Sequence, residues 1–187
     1  MTCFEKGHHV VGRRKILEWV RVRNTSPQGI VFASPLIGGD LSQQVSSFRW
    51  LARKKYDLVS FNYSGHGNSS DKFSLGATIR DTLHMLRHMS RVSEEEQLPL
   101  YGVASCYSAI PLLSAAHCLA EPFKKLVLIN AVTGLNPEAV ISSFAAHYRK
   151  MARTKKSLRS VVAAVGYYAD FLFPGIAKNK VYFGTLE

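Results

Sequence analysis

Tyr101-Gly102-Val103-Ala104-Ser105-Cys106-Tyr107-Ser108-Ala109 carries a strand into a helix through a turn with almost no room in it. Leu98 to Ala104 is a short, β-rich apolar run, and Ser108 to Leu119 has the composition of a helix. A junction this abrupt needs small residues two before and two after its apex, so that the backbone can crowd past itself. An apex at Ser105 would be flanked by Val103 and Tyr107, both bulky, whereas an apex at Cys106 is flanked by Ala104 and Ser108, both small. Sterics therefore select Cys106. At the N-terminus of the following helix, partial positive charge stabilises a thiolate. The bland alternative is that Cys106 is a small buried core residue.

Working outward, the same strand-loop-helix unit occurs twice upstream. Ile30 to Ala33 is an apolar run of the kind buried on both faces of a parallel sheet. The turn-rich loop Pro35-Leu36-Ile37-Gly38-Gly39 follows, and Asp40 caps a helix with Gln43 three residues on. Leu41, Val45, Phe48 and Leu51 recur at helical spacing as far as Lys54-Lys55. Leu58 to Phe61 is the next buried strand, and the polar loop Asn62-Tyr63-Ser64-Gly65-His66-Gly67-Asn68-Ser69-Ser70 leads to a helix with Leu75, Ile79, Leu83 and Leu86 on one face. Ser93 to Gln97 is an acidic exit, and Leu126 to Ile129 is a further strand. Before all of these, Lys15 to Val22 alternates apolar and polar residues, as an antiparallel, partly exposed strand does. Three β-helix units in succession predict an α/β architecture: a mostly parallel, doubly wound sheet with right-handed crossovers and helices on both faces. Ligands bind such sheets at the carboxyl ends of the strands, where the three quoted loops lie.

The rhythm changes at Asn136-Pro137-Glu138, a cap, a first-turn proline and an acid that start a helix bearing Val140, Ile141, Phe144 and Tyr148. Leu158 to Phe173 is a second helical stretch, stopped by Pro174-Gly175. The chain thus divides into a core portion, 1–134, and a helical segment, 135–187, that reads as a lid or as an ordinary packing pair. Arg149, Lys150, Arg153, Lys155, Lys156 and Arg159 form its basic cluster, either a solvated helix face or a docking surface.

The chain is 187 residues long, 47% hydrophobic and 20% charged, enough for one substantial core. Its formal net charge of +11 favours an anionic partner. Nucleic acid is disfavoured, because the basic residues are not grouped with aromatics in a recognition signature. No signal peptide and no membrane span is expected. Cys3, Cys106 and Cys118 match neither a disulfide framework nor a zinc site, which points to a reducing cytoplasm, and no metal or cofactor is expected. Cys118, late in its helix, reads as core. His84 and His88 share a helix face at a metal-compatible spacing but have no evident third ligand. His66 lies at the catalytic edge, as a structural loop residue or, less favoured, as a base that approaches Cys106, His147 has no identifiable acid partner, and His8-His9 falls in a mobile terminus.

From about Gln28 to Val132, some half of the chain, the sequence resembles the α/β-hydrolase superfamily, most closely the acyl transferase/thioesterase family of bacterial luminescence. The resemblance rests on Val31-Phe32-Ala33-Ser34-Pro35-Leu36, on Asn62 to Ser70, and on Ala104-Ser105-Cys106-Tyr107-Ser108-Ala109. It implies that Cys106 is a nucleophile, with the backbone amides of Leu36 and Tyr107 as oxyanion donors. It also implies acyl transfer or hydrolysis of an ester or thioester, on a fatty or polyketide-like acyl group borne by an acidic carrier protein. The sequence departs from the family in two respects. The family's usual apex is serine, with cysteine in branches such as dienelactone hydrolases and certain thioesterases. The triad acid and histidine come from late strands that do not precede Leu186-Glu187, so those C-terminal strands are expected on a continuation or on a second chain. The competing expectation is a non-catalytic hydrolase-like module that binds an apolar ligand or a protein.

Overall fold

Ile30-Val31-Phe32-Ala33 is apolar at every position because β3 (Ile30–Ala33) is buried on both faces. The computed structural model describes residues 2–12, 14–36 and 41–131. In these, β3 lies between β4 (Asp57–Phe61) and β5 (Leu100–Ser105), parallel to both. Among the described residues the sheet has six strands, completed by β1 (Thr2–Val11), β2 (Lys15–Asn24) and β6 (Lys125–Ile129), in the order β1-β2-β4-β3-β5-β6. β6 is parallel to β5, whereas β2 runs antiparallel to both β4 and β1.

Side-chain alternation along the strands divides the core in two. Ile30 and Phe32 point into a cluster with Val59, Phe61, Leu100, Met85, Leu86 and Leu112, under α2 (Leu75–Glu95) and α3 (Ala109–His117). Val31 and Ala33 point the other way, joining Leu58, Val103, Val45 and Ala52 beneath α1 (Leu41–Arg53). The sheet is therefore doubly wound, as the spacing of the units predicts, and β5 delivers Cys106 at its carboxyl end.

Four local readings change. The N-terminal segment is the ten-residue strand β1, and His8-His9 pairs with Glu18 and Leu17 in its ladder. Gly7 is required opposite Trp19, where a Cβ would come within 2.8 Å of the indole. The buried face of α2 is Ala77, Thr78, Asp81, Thr82, Met85, Leu86 and Met89, rotated from the Leu75-Ile79-Leu83 stripe, because its first turns carry small and hydrogen-bonding side chains beneath the 62–70 loop. The helix also runs through Ser93 to Glu95. Cys118 is exposed and caps α3, since that helix ends one residue earlier. The lid segment with its basic cluster and His147 falls outside the described residues, as do Ile37 to Asp40.

Arg21 is a charged residue where the β2 pattern calls for an apolar one. Its side chain is 3% exposed, donating from Nε to Asp57 Oδ2 at 2.8 Å and from Nη1 to Glu96 Oε1 at 2.8 Å. At the opposite end of the sheet, β6 is the outermost strand among the described residues, and its Val127, Leu128 and Ile129 are exposed. Among the described residues no helix is long and apolar enough to cross a membrane.

Candidate active site

β5 reaches Ser105 in an extended conformation, with φ −132° and ψ 145°. Cys106 then swings to a φ of 55°, and one tight helical turn, Cys106–Ser108, leads into α3. A left-handed backbone at a non-glycine residue costs about 1–2 kcal/mol and persists only where its surroundings enforce it. The enforcement comes from Ser108, whose hydroxyl accepts from the Ser105 N–H at 3.0 Å and donates to the Ser105 carbonyl at 2.8 Å. Ala104 and Ser108 are buried where the two backbone segments cross, which is why both are small. Tyr107 turns inward, and its hydroxyl reaches Thr78 Oγ1 at 3.2 Å. Burial pushes the Tyr107 phenol above its ordinary range, so it stays protonated. Cys106 is left exposed, and among the described residues its thiol has no hydrogen-bond partner.

Beside the turn runs the loop after β3. The Ser34 N–H donates to the Val103 carbonyl at 2.9 Å, extending the β3–β5 ladder by one rung. Ser34 Oγ donates to the Ser108 carbonyl at 3.3 Å and lies 3.4 Å from the Tyr63 hydroxyl. Pro35 is buried and Leu36 half-buried. The loop that would carry an oxyanion donor is thus anchored to the strand before Cys106 and to the turn after it.

The 62–70 loop is built around Glu18, which accepts from Asn62 Nδ2 at 2.7 Å, the Asn68 N–H at 2.9 Å and Asn68 Nδ2 at 2.9 Å. Burial alone would raise the Glu18 carboxyl, but the hydrogen bonds from Asn68 and Asn62 outweigh it and hold the group below the ordinary carboxylate range. Gly67 has a φ of 50°, and a Cβ there would come within 2.1 Å of Asn62 Nδ2, so only glycine fits. His66 is 4% exposed. It packs edge-on between the rings of Tyr63 and Phe73, with Nδ1 3.3 Å from the Ser64 carbonyl. Burial holds His66 below the ordinary imidazole value and therefore neutral. Asp81, fully buried on α2, accepts from Lys15 Nζ at 2.5 Å and from the Ser64 N–H at 2.8 Å, tying the loop to helix and hairpin.

Of the residues read from sequence, Cys106, Tyr107 and the start of the Leu36 loop converge on one sheet edge, whereas His66 is part of the packing beneath it. His88 stacks on His9 with centroids 4.7 Å apart. Among the described residues no group of three or more His, Cys, Asp or Glu could hold a metal ion. Sequence reasoning missed Ser34, the Ser108 hydroxyl, Glu18 and Asp81. A clue to Glu18 was available: a lone carboxylate in a strand facing a loop with two asparagines and two glycines.

A mostly parallel sheet wound on both faces, with a left-handed residue at the strand-to-helix turn beside the loop of the first parallel strand, defines an α/β-hydrolase fold. Among the solved structures similar to this chain is a soluble variant of monoglyceride lipase from Saccharomyces cerevisiae, at 13% identity and TM-score 0.64, covering 76% of this chain and 48% of that one. A highly thermostable carboxyl esterase from Bacillus coagulans matches at 15% identity and TM-score 0.60, covering 89% and 57%. A hydrolase from Pseudomonas aeruginosa PA01 matches at 19% and 0.58, covering 86% and 57%. The chain spans about half the length of these structures, and at such identities the likeness is one of fold. Neither a family model nor a curated protein matches the chain.

Proposed function

We propose that this chain carries the nucleophile and oxyanion elements of an acyl-transfer site acting on esters or thioesters. The observation that carries the reading is Cys106: exposed, in a left-handed conformation, at the carboxyl end of a central strand and the start of a helix. The thiolate attacks the acyl carbonyl carbon, a C–S bond forms, and the carbonyl π electrons move to oxygen, where the amides of Tyr107 and Leu36 receive the charge. Collapse expels the alcohol or thiol, which takes its proton from the general base or from water. Attack by water, an alcohol or an amine then releases the acyl group and regenerates the thiolate. A histidine and an acid on a continuation or second chain would complete the site. On the sequence, the helical lid suits an apolar acyl chain, and Arg149, Lys150, Arg153, Lys155 and Lys156 suit an acidic carrier protein.

One observation favours a second reading, a non-catalytic module: among the described residues no histidine hydrogen-bonds to the Cys106 thiol. Intact mass of the complete protein, with the continuation or second chain present, after incubation with the octanoyl thioester of N-acetylcysteamine separates the two. The acyl-transfer reading expects one octanoyl adduct that disappears in Cys106→Ala. An unmodified protein, or an adduct that survives the substitution, eliminates it.

A further inference from the structure

We propose that Ser108 is a positioning residue for acyl transfer at Cys106, fixing the nucleophile and the oxyanion loop relative to each other; the inference rests on the acyl-transfer reading. A tight turn needs only a small residue at this place, and glycine or alanine would satisfy the sterics. The chain instead has a hydroxyl that is fully buried and used twice on one residue, as acceptor from the Ser105 N–H at 3.0 Å and as donor to the Ser105 carbonyl at 2.8 Å. Both groups belong to the residue immediately before Cys106. Pinning them holds Ser105 extended and forces the backbone to reverse at Cys106, so the strain at 55° is maintained by a specific bond pair rather than by crowding alone.

Ser108 acts in the other direction through its carbonyl, which accepts from Ser34 Oγ at 3.3 Å. A hydroxyl has a single proton, so while Ser34 donates to Ser108 it can only accept from Tyr63, which lies 3.4 Å away. The Ser34 backbone is meanwhile bonded to Val103 on β5. Ser108 is therefore the residue through which the turn bearing Cys106 and the Tyr107 amide is joined to the loop bearing the Leu36 amide. Loosening it changes the spacing between the attacking sulfur and the amides that receive the developing negative charge. A thiol reaction that develops no oxyanion is indifferent to that spacing.

Two reactions of the complete protein, including the continuation or second chain that supplies the histidine and acid, test this. Octanoyl-N-acetylcysteamine transfers its acyl group to sulfur through an oxyanion, whereas iodoacetamide is attacked at carbon with direct loss of iodide and needs no oxyanion donor. In Ser108→Ala, single-turnover acylation is expected to slow by about tenfold to a hundredfold at saturation. The half-saturating concentration and the iodoacetamide rate should stay within about twofold of the wild-type values, so the effect appears in the ratio of the two rates. Ser34→Ala, which leaves the Ser105 bond pair intact, should lower the same ratio by a smaller factor and keeps the test open should Ser108→Ala not fold. Equal slowing of both reactions would make Ser108 a merely structural residue and overturn the proposal, as would unchanged acylation. A wild-type chain that alkylates but does not acylate overturns the acyl-transfer reading itself, a result distinct from either of these.

Discussion

Replacing Cys106 with glycine should stabilise the fold while abolishing the thiol. At a φ of 55° the Cβ is held against the following carbonyl, at a cost of about 1–2 kcal/mol that glycine does not incur. Glycine also loosens the unfolded chain, returning about 0.5–1 kcal/mol of that gain. The Cys106 side chain is exposed, so removing it sacrifices little buried area. The net gain is about 0.5–1 kcal/mol, roughly 1–4 °C in Tm for a domain of this size. Cys106→Ala keeps the Cβ and with it the strain, and should leave stability near the wild-type value. Ser105→Gly supplies the control, because Ser105 is extended and a glycine there should cost about 0.5–1 kcal/mol. Urea unfolding followed by circular dichroism reads all three as midpoints at constant m. A glycine variant at position 106 no more stable than the alanine variant would mean that the turn stores no strain, and the account of Ser108 as its clamp would fail with it.

Two further outcomes follow from buried charge. Arg21→Ala leaves the fully buried Asp57 carboxylate with the Asn24 N–H at 2.7 Å but without its guanidinium, and should cost about 3–5 kcal/mol, much of it recovered by adding Asp57→Asn. A loss under about 1 kcal/mol in chemical denaturation would show that the network contributes little. His9 is held below the ordinary imidazole value by burial and then by His88, His84 and Arg91, and His88 by burial and then Arg91, against the opposing pull of Glu95 and Glu5. A base with a depressed folded value lets the unfolded chain take up protons first. Its contribution is therefore complete above the unfolded value of about 6.5 and is lost as pH falls through that value toward the folded one. Unfolding free energies measured between pH 8 and pH 5 should decline across that window, and less steeply in His88→Gln. An unaltered slope in that variant would refute the assignment.

The parallel core was legible because each of its strands is a short apolar run followed by a loop and an amphipathic helix, so period alone separates them. β1 was not, because Thr2-Cys3-Phe4-Glu5-Lys6-Gly7-His8-His9 has no clean alternation and becomes a strand only by pairing along β2. The buried face of α2 escaped for a related reason: Thr78, Asp81 and Thr82 look like solvent-facing residues until the loop that they support is in place. Cys106 could be singled out because small flanks are a local, steric requirement. The use of Ser108 as a clamp could not, since the same requirement is met by any small residue and the hydroxyl's partners are set by three-dimensional geometry. Arg21 and Glu96 are far apart in sequence, and nothing in either segment marks them as partners.

The β3–β5 ladder has a kinetic consequence. Ile30 pairs with Leu100 and Phe32 with Gly102, so a long loop must close before this ladder can form, whereas β1 and β2 meet through a tight hairpin at Val11 and Lys15. Local hairpins close in about 1–10 μs, and parallel pairings between distant segments form late. The rung from Ser34 to Val103 and the contact from Ser34 to Ser108 both depend on the late ladder. The junction of the Cys106 turn with the oxyanion loop is therefore among the last features to assemble, whereas the Ser108–Ser105 bond pair spans only three residues and does not wait for Ile30 to reach Leu100.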